Sequence, residues 1–180
     1  MSQIQDLAND LGRVQAELPR MVRQQMTATA LEAEAGAKQN ATTRLKVRTG
    51  RLRSSIQSSV DGDGDRVRVT LQAGGQKVPY ARAQEFGAVI TPRSARFLAI
   101  PVGPALTSAG VSRYASPRDV PGLHFAKGTL QDAQGNVWYV LKRSVTIRGT
   151  RFMGDAVDKA VDNLPNRVAT GFRAIILRGA

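Results

Sequence analysis

The stretch "TGRLRSSIQSSVDGDGDRVRVTLQA", residues 49–73, is where the chain changes period. Upstream, Ile4, Leu7, Leu11, Val14 and Leu18 recur at spacings of three and four, the stripe of an amphipathic helix. Thr49-Gly50 breaks that pattern. "SIQSSV" (55–60) and "RVRVTLQA" (66–73) alternate apolar and polar residues, the period of half-buried strands. The "DGDGD" between them predicts a hairpin connection, because Asp and Gly tolerate the left-handed conformations of tight turns. Thr49 is expected to cap a short turn that Gly50 lets enter sharply. Leu52 and Ile56 then face a core, and Arg51 and Arg53 project on the opposite side.

Working outward, residues 1–43 form an N-terminal helical segment. Pro19 is expected to kink or interrupt it, since proline removes a donor and clashes with the preceding turn. The Ala-rich "RMVRQQMTATALEAEAGAKQ" (20–39) has few large side chains and suits packing against a neighbour. On the other side, "YARAQEFG" (80–87) reads as a short helical turn closed by glycine. A Pro- and Gly-punctuated region follows, with one clear apolar segment, "RFLAIPV" (96–102). "LHFAKGTLQDAQGNVWYVLKRSVTIRG" (123–149) then predicts three strands with a "DAQGN" turn between two of them. From Phe152 helix returns, with Val157, Ala160, Val161 and Leu164 on one face. Pro165 is expected to break or restart it with Asn163 as cap. The reading is a single α+β domain over 1–180: a kinked N-terminal helix, an antiparallel sheet with a β-rich insert at 88–148, and a C-terminal helix packed on the sheet.

Composition narrows the function. The 180 residues contain no cysteine, which excludes disulfides and thiolate metal sites. No apolar run approaches the roughly 20 residues of a bilayer span, and "MSQIQDLAND" has no signal-peptide pattern, so no membrane partner is expected and synthesis is read as cytoplasmic. The net charge is +12, and arginine supplies 20 of the 26 basic residues, favouring forked contacts to phosphate or carboxylate. Charge alone leaves open a nucleic acid or the acidic surface of an assembly partner.

Catalytic patterns fail individually. His124 is the only histidine, in a strand-like segment without a nearby carboxylate or cysteine. "DGDGDR" (61–66) opens like a calcium loop, but Arg66 stands where glycine is needed and Gln72 where the bidentate glutamate belongs. "AGGQK" (73–77) lacks phosphate-loop spacing. Asp155, Asp158 and Asp162 share a helix face that could bind a cation or an arginine, and is more readily read as solvated or partner-facing. No catalytic, cofactor or metal residue is assigned, and no enzyme is expected.

Three motifs remain, in order: "TGRLRSSI" (49–56), "YARAQEFG" (80–87) and "RGTRFMGDAV" (148–157). Together they resemble the neck, tail-completion and tail-terminator proteins of tailed bacteriophages, and "ITPRSARFLAIPVG" with "SPRDVPGLHF" is similar to the β-extension of Mu-like morphogenesis proteins. The resemblance implies a virion protein of the head–tail junction, made in the host cytoplasm. Its implied form is a homo-oligomeric ring, typically a hexamer, that terminates the tail tube or joins the tail to the head. Implied partners are the tail-tube protein and the head-completion or connector (stopper) protein, with DNA in the channel bound without sequence specificity. The alternative is a basic nucleic-acid-binding protein. Interface candidates are Arg48, Arg51, Arg53, Glu85, Phe86, Trp138, Tyr139 and Arg151. Glu85 should find an arginine partner within the fold or across a subunit contact, or else is an ordinary surface residue. Trp138 and Tyr139 are interface anchors, or the alternating core and surface positions of a strand.

Overall fold

Ser2–Thr43 form one helix, α1, that runs through Pro19 without interruption. Proline leaves the carbonyl of Gln15 without its helical donor, but Gln15 is exposed, so water can take that role. The computed structural model describes residues 2–46, 49–62 and 66–177, without the side chains of 2, 3, 6 and 7. After α1 come α2 (Arg51–Ser54), β1 (Gln57–Asp61), β2 (Arg68–Gln72), α3 (Ala81–Phe86), β3 (Gly87–Ile90) and β4 (Leu98–Pro101). They are followed by β5 (His124–Ala126), β6 (Thr129–Gln131), β7 (Val137–Lys142), β8 (Val145–Arg148), α4 (Gly154–Asp162) and α5 (Leu164–Leu177). The class is α+β. The last segment holds four strands rather than three, and β3 lies in a stretch without a strand-like alternation.

The chain divides into two compact units, Met1–Glu85 with Thr150–Ala180, and Phe86–Gly149. In the first, β1 and β2 pair antiparallel from Gln57↔Gln72 to Asp61↔Arg68, the expected hairpin. Residues 63–65 of its connection lie outside the described residues. Ala30, Ala33, Ala37 and Ala41 form a buried stripe on α1, all at most 4% exposed. Small side chains let helices approach closely, and the stripe is used within the chain: Ala37 and Ala41 share a core with Ala156 of α4, Phe152, Leu52, Ile56, Val78 and Ala81. Leu71 of β2 packs on the same core, so sheet and C-terminal helix meet there. Phe152 and Ile56 are completely buried, each worth about 1.5–3 kcal/mol. Val161, expected on the core face of α4, is half exposed; Ala156 and Ala160 hold that face.

Helix α5 lies along α1. Glu32 accepts hydrogen bonds from Asn163 Nδ2 (2.8 Å) and the Arg167 guanidinium. Gly171 rests on Met21, whose sulfur would be 2.8 Å from an added Cβ, so a larger residue there requires the Met21 side chain to move. Pro165 restarts the helix as expected, but the Asn163 side chain serves Glu32 rather than capping α5.

In the second unit, β3 pairs with β8, and a four-stranded antiparallel sheet runs in the order β4-β7-β6-β5. Its small core holds Ala105, Val120 and Tyr139, flanked by Tyr114 and Trp138.

Candidate assembly site

The three motifs converge inside the first unit. Gly50 stands at the N-cap of α2 with φ 69, a left-handed conformation, and no side chain caps the turn, so the cap expected of Thr49 does not form. Leu52 and Ile56 point into the core while Arg51 and Arg53 are exposed, as their spacing predicts. Arg48 lies outside the described residues. Ser55 Oγ donates to the Leu52 carbonyl (2.8 Å) and accepts the Gly74 N–H (3.0 Å), tying the turn to the end of the hairpin.

The hairpin is also fixed to α1. Glu34 accepts from Lys38 Nζ (2.6 Å) and from both the backbone N–H and Oγ of Ser58 (2.7 Å each). Lys38 first, and Ser58 after it, favour the ionised carboxylate and lower its pKa from 4.5 to about 2.

Motif two supplies the latch for motif three. Glu85 is buried, and its carboxylate accepts the N–H groups of Met153 and Gly154, each at 2.9 Å. Those are N–H groups at the start of α4, which have no partner inside the helix, so a carboxylate there satisfies them and meets the positive end of the helix dipole. Glu85 is thus a helix cap, and among the described residues it has no ion pair with an arginine side chain. Tyr80 and Phe86, the aromatics on either side of it in the motif, are 39% and 72% exposed, while the carboxylate is buried. Gly87 has φ 81, and a Cβ there would stand 2.9 Å from the Ile147 carbonyl, so the "EFG" glycine is required where β3 begins.

Motif three answers in kind. Thr150 N–H donates to the Gln84 carbonyl (2.8 Å) and Arg151 N–H to the Glu85 carbonyl (3.1 Å). Arg151 spends its guanidinium on its own helix, donating to Asp155 and Asp158 (2.9 Å each). Arg44 also pairs with Asp155, and this pair first, then Arg151, holds the Asp155 carboxyl below its ordinary range. The aspartate face of α4 is therefore largely consumed within the chain. Asn40 completes the seam, donating to the Phe152 carbonyl at 3.0 Å. These contacts join residues 66 to 112 positions apart, which spacing alone cannot reveal.

Beside α2 lies a cleft of about 330 Å³ with Ala41, Leu45 and Leu52 on its walls and Lys46, Arg51 and Arg53 around it. In the second unit, Trp138 donates its indole N–H to Asp132 (3.0 Å), which also accepts from Asn136 and Gln134 and closes the β6–β7 turn. Trp138 first, and Asn136 after it, lower the Asp132 pKa to about 2. Tyr139 is buried, and burial raises its pKa. Strand β7 thus uses both aromatics inside the unit. His124 is exposed on β5 opposite Gln131.

The three motifs close one helical unit with side chains that brace backbone, Ser55 at Gly74 and Glu85 at Met153 and Gly154. Residues 5–87 match the model of the HK97-gp10-like family, described as "Bacteriophage HK97-gp10, putative tail-component". Over that segment, somewhat under half of the chain, the protein is similar to a phage tail component. No curated protein and no solved structure matches the chain.

Proposed function

We propose that this protein acts as a non-catalytic ring at the head–tail junction, of six identical copies, that ends the tail tube or joins the finished tail to the head connector. The observation that carries the reading is the convergence of the three motifs in one unit, together with the tail-component match over residues 5–87. Partners are the tail-tube protein on one side and the connector or stopper protein on the other. Of the interface candidates, Arg51, Arg53 and Phe86 are exposed and suited to neighbours, while Glu85, Trp138, Tyr139 and Arg151 act within the chain. The basic rim of the cleft beside α2 suits an acidic segment of an adjoining ring.

The test is electron microscopy of particles from a phage lacking this gene. Overlong or irregular tails identify a terminator. Tails of normal length, unattached to filled heads, identify a joining protein. Intact infectious particles reject the junction role.

A further inference from the structure

We propose that one end of the four-stranded sheet in Phe86–Gly149 is a sequence-independent contact for the phosphate backbone of duplex DNA. The topology gathers its parts. β4 begins at Leu98 opposite Lys142, the last residue of β7, and β3 ends at Ile90 opposite Val145, the first residue of β8. The 91–97 loop joining β3 to β4 therefore closes over the β7–β8 corner. The β5–β6 turn comes to the same end, where the Leu141 N–H donates to the Gly128 carbonyl (2.9 Å). These three connections carry Arg93, Arg96, Lys127, Lys142 and Arg143, all exposed.

No acid is interleaved with them. The sequence has no Asp or Glu between Glu85 and Asp119, nor between Asp132 and Asp155. The unit's two carboxylates are occupied elsewhere. Asp132 closes the β6–β7 turn at the opposite end of the sheet, and Asp119 accepts the Ser116 N–H (2.9 Å). Among the described residues, none of the five cations has an ion-pair partner.

Lys127 adds an independent observation. It has φ 48 and Gly128 φ 80, so the two-residue turn is left-handed at both positions. Such turns favour Asn, Asp or Gly at the first position. A lysine there places a charge at the sheet end at the expense of conformational preference, as functional sites do.

Another copy of this chain, itself at net charge +12, is a poor neutralising partner. A cluster of one sign, interspersed with the exposed hydroxyls of Thr91, Ser94 and Ser144, fits phosphates better than a protein surface. Interfaces with DNA are much more positively charged than those between proteins. With turns rather than a helix at the contact, the grooves are not read and sequence does not matter. The site stands on charge placement alone; only the source of the DNA rests on the tail role.

The test is titration of the full-length protein onto a labelled 30-base-pair duplex of arbitrary sequence, from about 50 to about 200 mM NaCl. Wild type is expected to bind with log K falling linearly in log salt at a slope of about −4.5, about 0.9 for each of the five cations. K142Q/R143Q should reduce that slope by about 2, whereas R118Q, outside the cluster, should leave it unchanged. K127N should reduce it by about 0.9 while melting no lower than wild type, which separates lost contact from lost fold. Unchanged binding in the cluster variants, or no binding by wild type at the lowest salt, overturns the proposal. So does displacement of the duplex by polyglutamate at equal charge, which points to an acidic protein surface. None of these outcomes bears on the junction role, which is read from particles.

Discussion

At Glu85 a single carboxylate ties the start of α4 to the end of α3. It is 7% exposed, and its two oxygens accept the N–H groups of Met153 and Gly154. Removing it leaves two amides at the start of α4 without acceptors, and hydrogen bonds to charged groups are worth about 1.5–3 kcal/mol. Glu85→Ala is therefore expected to lower stability by about 2–3 kcal/mol in urea denaturation, and Glu85→Gln by less, since one acceptor remains. A loss below about 0.5 kcal/mol for the alanine variant makes the latch incidental. The sequence marks Glu85 as unusual, a carboxylate between two aromatics in a basic chain. Its partners could not be read there, because they are backbone groups 68 and 69 residues away.

Elements were legible where the pattern is local. The β1–β2 hairpin follows from alternation around "DGDGD", and α3 from the glycine that closes it. The β5–β6 hairpin was hidden because its turn is Lys-Gly, without the Asn or Asp that announces a left-handed turn, between strands of three residues. Helix α1 was readable in composition but not in orientation: an alanine stripe shows close packing without saying on what. What orients the hairpin against α1 is Glu34, through Lys38 and Ser58. Its folded pKa, about 2, lies below the ordinary 4.5, so the folded state binds this proton less readily than the unfolded chain. The resulting stabilisation is complete above the ordinary value and is lost as pH falls from there toward 2. Glu34→Gln should therefore melt lower than wild type at pH 7, and the gap should narrow steadily in melting curves recorded down to about pH 2. A gap that is constant with pH rules out the carboxylate as the tether.

For the whole molecule, the way Phe86–Gly149 is attached sets the division of labour. Its stem is held by hydrogen bonds within the first unit, Thr150 N–H to the Gln84 carbonyl and Arg151 N–H to the Glu85 carbonyl. Both chain ends of the second unit thus leave from neighbouring points, and the core of Leu52, Ile56, Phe152 and Ala156 contains no residue from beyond them. The family match ends at residue 87, just where the second unit has begun. Replacing 86–149 with a short Gly-Ser linker costs little loop-closure entropy, since the ends are already together. The shortened protein is expected to unfold cooperatively with the helical circular dichroism of α1, α4 and α5 intact. It should also lose the steep salt dependence of duplex binding, because the five cations leave with the insert. Retained steep binding would assign the phosphate contact to the arginines of the first unit instead. A shortened chain that fails to fold would show that the three motifs need the insert to close, and that the two units are one folding element.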